Sequence, residues 1–351
     1  MSTMFCLVSR QSMANVLPVL MFKPQQVVLF ATPEEKKSAD NLEKLFSSKS
    51  INVKRVNDLN AYDYVAFKNV VINEIQNYQT DICLNVTGGT KLMALAAYEV
   101  FAEANKRIIY CDTEHQHIIS LMPEYKIENL QADISIEDYL LSYGYKIENV
   151  KSSQNEIDYC ELFSFIEKSN SIKSFVDLYV KVREKLSDIT NTFSITSNDQ
   201  RFEFRKETNH YLLKYYDSKF ITFKMDSSDF KSGDWLEYYV KYILKKKNNL
   251  EPILGVKIIN DEGVRNEIDV MVLKNSRLFL FSCKTGKKDN QFDLYQLETL
   301  RHITSGTFGK GIFITANEHS ENFNIRAKDL KIDIINVLKT REIKIWTTIT
   351  F

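Results

Sequence analysis

Ile82-Cys83-Leu84-Asn85-Val86-Thr87-Gly88-Gly89-Thr90-Lys91 decides how the first half of this chain is read. A short, mostly apolar run with strand character enters a Gly-Gly turn, and the stretch from Leu92 to Ala104 follows with helical spacing. A strand that passes through two glycines into a helix predicts an anion cradle. Glycines let the backbone come close to a ligand, Thr90 is suited to cap the helix, and the unpaired N–H groups of its first turn point at whatever sits there. The stretch is neither G-x-G-x-x-G nor G-x-x-x-x-G-K-[ST], so it lacks the fingerprints of dinucleotide and P-loop sites.

Working outward, strands are expected at 5–8, 26–31, 53–56, 82–86 and 107–111, alternating with helices at 14–20, 33–47, 61–78 and 91–104, and a short hairpin return at 117–121. That alternation is the trace of a parallel α/β sheet. Ligands of doubly wound sheets sit outside the carboxyl ends of the strands. The candidate ligand-binding residues are therefore Ser9, Arg10 and Gln11 after the first strand, Thr32 after the second, Thr87, Gly88, Gly89, Thr90 and Lys91 after the fourth, and Asp112 and Thr113 after the fifth.

With 351 residues, 44% of them hydrophobic, the chain is long enough for two domains with ordinary cores. Its 46 basic and 46 acidic residues cancel, so any nucleic-acid affinity has to come from local patches. Cys6, Cys83, Cys111, Cys160 and Cys283 show no C-x-x-C pairing, which predicts free thiols in a reducing cytoplasm and no zinc. No apolar stretch reaches the roughly 20 residues that a bilayer requires. The expected organisation is an N-terminal domain over 1–125, a polar connector over 126–158 with one short helix near 136–143 closed by Gly144, and a second domain over 159–351.

The second domain opens with helices near 159–169 and 172–186 and strands near 201–205, 211–215 and 220–225. A helix at 229–246 is followed by strands at 253–259, 267–273 and 278–284, a helix at 290–303, a strand at 311–315, a helix at 320–330 and a strand at 333–336. If Asn275-Ser276 is a two-residue hairpin loop, Lys274 pairs with Arg277, and counting outward sets Asp269 opposite Ser282 and Glu267 opposite Lys284. Alternation then points all four the same way, with Ile268, Val270 and Val272 against Phe279, Phe281 and Cys283 on the other face. Both faces are mostly apolar, so the polar cluster sits at one end of a sheet that needs cover on both sides. Carboxylates one strand position apart suit a hard cation, Mg²⁺ or Mn²⁺. Lys284 would orient or help deprotonate an attacking water and offset transition-state charge, and the Cys283 backbone carbonyl would add a ligand. The plainer reading is a solvated strand end with a Glu267–Lys284 ion pair.

Glu237 on a helix, followed by Asp269 and Lys284 on a hairpin, resembles the core of PD-(D/E)XK nucleases. Together with Asn85 to Lys91, Ser135-Ile136-Glu137-Asp138-Tyr139-Leu140 and Tyr143-Gly144-Tyr145, the chain resembles the CRISPR-associated Rossmann fold (CARF) effector nucleases of type III CRISPR systems over essentially its whole length. The resemblance implies an N-terminal Rossmann-like CARF sensor and a C-terminal restriction-endonuclease-like domain. It further implies a cytoplasmic homodimer activated by a cyclic oligoadenylate, the tetramer being the expected ring, that cuts single- or double-stranded DNA, RNA or both in antiviral defence. Glu237, Asp269 and Lys284 take the family's helix acid, metal-binding Asp and motif Lys, and Gln296 resembles a motif glutamine of related nucleases.

One departure stands out: Ser282 occupies the position where the motif has Asp or Glu. A serine cannot replace an ionised carboxylate on a divalent metal, and Glu267 is expected to supply the missing charge. The expected catalytic set is thus Glu237, Glu267, Asp269, Lys284 and Gln296, with Glu237, Glu267, Asp269 and Cys283 on the metal. A ligand-responsive nucleic-acid-binding regulator with an inactive nuclease-like domain is the competing reading, and no winged helix-turn-helix pattern supports it. A constitutive nuclease whose first half merely dimerises is a third. Lys245-Lys246-Lys247 and Lys287-Lys288 are weaker signals for phosphate grips, and an i+4 ion pair with Lys241 is the plain reading of Glu237. Two patterns are set aside: Arg205 to His210 has the spacing of a ribonuclease motif that needs a helix but reads as strand and turn, and His115-x-His117 lacks a third metal ligand.

Overall fold

The computed structural model describes residues 2–78, 81–151, 156–185, 194–206, 211–216, 220–225, 233–286 and 289–339. The first sheet contains β1 (Thr3–Leu7), β2 (Gln26–Phe30), β3 (Asn52–Val56), β4 (Ile82–Asn85), β5 (Arg107–Asp112), β6 (His117–Met122) and β7 (Lys126–Asn129) in the order β3-β2-β1-β4-β5-β6-β7. The first five strands are parallel, and β6 and β7 run antiparallel at one edge. Helices α1 (Met13–Phe22), α2 (Lys36–Ser48), α3 (Tyr64–Ile75) and α4 (Lys91–Glu103) connect them. The central strands are buried on both faces, which is why they read as nearly continuous apolar runs. Met4, Cys6, Val27 and Leu29 pack towards α1 and α2, whereas Phe5, Leu7, Val28 and Phe30 pack towards α3 and α4.

Within the expected connector, residues 126–149 do more than link the two halves. Lys126–Asn129 adds β7 to the first sheet, α5 (Ile136–Ser142) carries a Ser135–Asp138 capping box, and β8 (Tyr145–Asn149) joins the second sheet beside β13. The second sheet runs β17-β16-β15-β14-β13-β8, built from β13 (Ile253–Asn260), β14 (Arg265–Lys274), β15 (Arg277–Lys284), β16 (Lys310–Thr315) and β17 (Asp333–Asn336). Its helices are α8 (Trp235–Asn248), α9 (Gln291–Ser305) and α10 (Glu321–Asp329). Between the two lies a unit of α6 (Glu156–Lys168), α7 (Ile172–Lys185) and an antiparallel sheet of β9 (Ser194–Thr196), β10 (Phe202–Lys206), β11 (Tyr211–Tyr216) and β12 (Phe220–Met225). It shares an aromatic-rich core with α8 and with Val270, Val272, Phe279 and Phe281 of the second sheet.

The two halves also share a core. Val16 and Leu17 of α1, Leu42 and Leu45 of α2, and Tyr139 and Leu140 of α5 belong to the same buried cluster as Val256, Leu280, Leu294 and Leu297. At the surface, Lys37 and Lys44 of α2 hold Glu262 and Asp261, in the β13–β14 turn, each at 2.5 Å. The strand that carries Glu267 and Asp269 is thereby tied to the sensor-like half only a few residues away.

Candidate functional site

Strand order reverses between β1 and β4, and the loops after these strands flank the crevice that opens there. The glycines of the β4–α4 loop are fixed first by the protein's own packing. A Cβ on Gly88 would stand 2.0 Å from the Leu7 carbonyl oxygen, and Gly89 has φ +71° with its Cβ position 2.9 Å from Leu7 Cβ. Buried Asn85 donates to the Ala14 carbonyl (2.8 Å) and to Asn15 Oδ1 (3.0 Å), and its own Oδ1 accepts from the Thr87 N–H (3.1 Å) and hydroxyl (2.6 Å). Thr87 Oγ1 in turn accepts the Cys111 N–H at 2.7 Å, locking β4 to β5. Thr90 caps α4 by accepting the Met93 N–H at 3.3 Å, and its hydroxyl donates to the Ala61 carbonyl at 2.9 Å. The loop's shape is therefore set by the protein's own contacts, and Lys91 is exposed at the helix start.

The other expected crevice residues divide. Ser9 is half-buried and Arg10 exposed, with Arg10 Nε 3.5 Å from Glu35. Thr32 is buried at the end of β2. Asp112 closes its own turn by accepting the Glu114 and His115 N–H groups at 3.2 and 3.1 Å and contacting His115 Nδ1 at 2.8 Å, and the Thr113 carbonyl accepts from Gln116. His115 is thereby engaged within its turn. Gln11 departs from expectation: its Oε1 accepts the Thr307 N–H and hydroxyl at 3.0 and 3.1 Å, across the two halves of the chain. It lines, with Arg10, Lys37, Tyr143, Tyr145 and His302, a cavity of about 300 Å³ between them.

The hairpin follows the expected register. Asn275 and Ser276 both have left-handed φ (48° and 58°), as a two-residue turn of this kind requires, and Lys274 pairs with Arg277. The ladder ends at Val270–Phe281. Beyond it the Asp269 carboxylate crosses to β15, where Oδ2 accepts the Cys283 N–H at 2.7 Å and lies 3.4 Å from Ser282 Oγ and 3.6 Å from Lys284 Nζ. Among the described residues Lys284 pairs with Asp269, and no Glu267–Lys284 ion pair forms.

Simple alternation fails at one point. Ile268 packs with Met271, Leu280 and α9, whereas Val270 and Val272 pack with α8. The facing reverses at Asp269, beside Gly255 of β13, whose φ of +51° breaks the neighbouring strand. Ile268 therefore does not share a face with Val270. Glu267, although exposed, still lines a small cleft with Asp269, Ser282, Lys284, Gln296 and Asp293. Asp293 was not among the expected residues. Its signal was its place one turn before Gln296, on the same face of α9.

Glu237 approaches from α8, a helix buried nearly all round by Trp235, Leu236, Val240 and Ile243. Its partner is Lys151 at 3.6 Å, so the plain i+4 pair with Lys241 is not the one that forms. Burial, then the charge of Asp269, push the Glu237 carboxyl up to about 8, with Lys151 working the other way. A buried carboxyl and a second carboxylate whose charge reaches it form an oxygen donor set suited to a hard cation. Among the described residues no group of three His, Cys, Asp or Glu side chains converges. The set therefore fits Mg²⁺ or Mn²⁺, which take one or two carboxylates and keep several waters. Burial holds the Cys283 thiol protonated, which leaves its backbone as the part able to serve a hard cation.

Side chains further along brace the site. Asn317 Nδ2 donates to the carbonyls of Thr285 (3.1 Å) and Gly286 (2.9 Å), just after Lys284. His319 contacts Asp289 at 2.6 Å and Thr315 at 3.0 Å, pinning the entry to α9. Lys245 and Lys246 lie 3.7 Å from Glu251 and Glu167 respectively. The Lys247 side chain, Lys287 and Lys288 fall outside the described residues, as does His210, while Arg205 sits on a strand beside Glu203.

Glu237 supplies the first test. Its carboxyl keeps a proton to about pH 8 in the folded chain, against an ordinary 4.5, so the metal-free fold loses stability as pH rises between those values. Glu237→Gln removes that penalty. In chelator at pH 8 the variant should melt about 4 °C higher, a discounted gain on the order of 2 kcal/mol. The gain should vanish near pH 4, and equal melting at both pH values would contradict the reading.

A switch-point crevice and a carboxylate-lysine cleft on a second sheet make this a ligand-sensing nuclease architecture. Residues 3–139 match the Card1 CARF domain and residues 225–347 match the Card1-like endonuclease domain. The chain thus joins a CARF domain to a Card1-like endonuclease domain. Its fold is shared with Can2 from Sulfobacillus thermosulfidooxidans, solved with cyclic tetra-adenylate, at 24% identity, 96% coverage of each chain and TM-score 0.76. It is similar to VC1899 from Vibrio cholerae at 19% identity, covering 95% of this chain and 94% of that one, with TM-score 0.73. A type III CRISPR defence DNA nuclease activated by cyclic oligoadenylate aligns at 15% identity and TM-score 0.59, over 91% of this chain and 46% of that one. No curated protein matches the chain. No described helix is long and apolar enough to cross a membrane.

Proposed function

We propose that the chain is a homodimeric, divalent-metal-dependent nuclease switched on by cyclic tetra-adenylate in type III CRISPR defence. The observation that carries the reading is the junction of the β1–β4 crevice with the Glu237–Asp269–Lys284 cleft through one continuous core, a form shared with a Can2 that holds this ligand. A twofold ring suits an isologous dimer. The exposed apolar side chains Tyr62, Val65, Leu92 and Leu95 gather at the starts of α3 and α4, next to Thr90 and Lys91, and offer the surface for a second copy. Arg10 and Lys91 supply charge for the ligand's phosphates, and the α4 N-terminus supplies N–H donors.

In the cleft, Glu237 and Asp269 are the cation's carboxylate ligands, with the Cys283 carbonyl beside them and Glu267 making up for Ser282. The bound cation supplies Lewis-acid activation of water and of the phosphoryl oxygen. Lys284, 3.6 Å from Asp269 in the resting site, is placed to orient the attacking water and to offset charge on the phosphorus. Gln296 and Asp293 face the same cleft and position the water and the strand.

Two measurements test this reading. Calorimetric titration with cyclic tetra-adenylate should give one ligand per two chains, and one per chain would remove the shared site. Leu95→Glu should convert a dimer to a monomer in light scattering and weaken activator binding at least about tenfold, since a buried unpaired charge costs several kcal/mol. A variant that stays dimeric would exclude this surface.

A further inference from the structure

The unit formed by α6, α7 and β9 to β12 lies almost wholly between the two stretches that match the family models, yet it reaches the cleft. Arg183, exposed in the last turn of α7, has Nη1 3.3 Å from Oγ1 of Thr285, the residue after Lys284. Tyr179, one turn earlier, brings its hydroxyl to 3.5 Å from the same atom. Gly233, just before α8, closes the other side, since a Cβ there would stand 2.6 Å from Thr285 Oγ1 and 3.0 Å from the Tyr179 hydroxyl. The Thr285 carbonyl is held by Asn317. The guanidinium is thus anchored beside Lys284, near the start of the helix that presents Glu237.

Its charge is left over. Lys181 on the same helix lies 3.6 Å from Asp177, whereas among the described residues no carboxylate pairs with Arg183. The cleft itself is lined by acids: Glu267, Asp269 and Asp293, with Glu237 behind them. A polyanion entering such a cleft needs cations at the rim, and a guanidinium offers a planar fork of donors that fits phosphate oxygens.

We infer that Arg183 grips a phosphate of the nucleic-acid strand next to the scissile bond, which makes the α6–β12 unit part of the substrate surface. The inference rests on the nuclease reading for the identity of the polyanion. It concerns binding, so it is tested without turnover.

The experiment measures fluorescence anisotropy of labelled single-stranded DNA and RNA with the full-length chain in chelator, over a range of salt. Arg183→Ala should weaken binding about five- to tenfold and reduce the slope of log K against log salt by about 0.7, the value for one phosphate contact on a single strand. Arg183→Lys should restore the slope. Thr285→Val, which removes the hydroxyl and leaves the charge, should bind within about twofold of wild type. Wild-type affinity and slope in Arg183→Ala, or an equal loss in Thr285→Val with an unchanged slope, would overturn the inference. Cleavage assays in Mn²⁺ with cyclic tetra-adenylate keep the two readings apart. A raised KM with kcat kept within a few fold supports a binding role for Arg183. A wild-type chain that binds but never cuts sinks the nuclease reading and leaves the anisotropy comparison to decide Arg183, and one that binds neither polymer sinks both.

Discussion

Asp269→Asn is expected to lower metal-dependent cleavage by at least about a hundredfold while leaving the fold and activator binding intact. The carboxylate has two jobs in the geometry described above. It lies 3.6 Å from Lys284 and its charge reaches Glu237, and its Oδ2 accepts the Cys283 N–H at 2.7 Å, which ties β14 to β15 past the end of their ladder. An asparagine oxygen keeps that hydrogen bond, so the local structure survives. What disappears is the charge that attracts a cation and holds Lys284, and groups that stabilise transition-state charge are worth roughly 3 kcal/mol or more each. The same substitution should lower the Glu237 carboxyl only part of the way, because the neighbouring charge is gone while the burial that raises it most remains. Cleavage by Asp269→Asn within about tenfold of wild type would exclude Asp269 from the reaction centre. Glu267→Ala reads the Ser282 departure separately. It should weaken Mn²⁺ binding and cleavage by about ten- to a hundredfold if Glu267 replaces the missing acid, and leave both unchanged if Asp293 does so alone.

Gly88→Ala is the second large effect. A methyl at that position would lie 2.0 Å from the Leu7 carbonyl oxygen and 3.2 Å from Asn15 Nδ2. Neither neighbour can turn aside. Leu7 is backbone in a central strand, and Asn15 Nδ2 is itself bonded to that carbonyl at 2.8 Å. The β4–α4 loop therefore has to move away from β1, breaking the Asn85–Thr87–Cys111 chain of hydrogen bonds that shapes the crevice. The expected cost is about 3 kcal/mol or more, with loss of activator binding. Gly286→Ala, with nothing within 4 Å of the added methyl, is the control and should melt within about 1 °C of wild type. Thermal unfolding and calorimetry check both. A Gly88→Ala chain with wild-type stability would show that the loop is looser than its contacts imply.

Much of this was readable in the sequence where the signals were local. The Gly-Gly turn and the alternation around it fixed the first sheet and its crevice, and Asn275-Ser276 set the hairpin register to the residue. The short edge strands were not readable. Lys126–Asn129 and Tyr145–Asn149 are polar and largely exposed, so they carry no apolar period, and their pairing is decided by β6 and by β13, the latter more than a hundred residues away. The reversal of facing at Asp269 escaped for a similar reason, since its cause, the left-handed Gly255, lies on a neighbouring strand. Gln11 looked like a crevice residue because it follows β1, yet its partner is Thr307, on the far side of the sequence. Glu237 was placed on its helix, but its partner Lys151 was hidden by the nearer and more conventional Lys241. In each case the missing information was a tertiary neighbour and not a local preference.

The central claim is that one chain both senses a cyclic oligoadenylate and cuts a phosphodiester. Incubating the full-length protein with labelled single-stranded DNA, RNA and supercoiled plasmid in Mn²⁺, with and without cyclic tetra-adenylate, tests it most directly. Cleavage that requires both Mn²⁺ and the activator is the predicted result. Cleavage that is equally fast without the activator, or none under any condition, would contradict it.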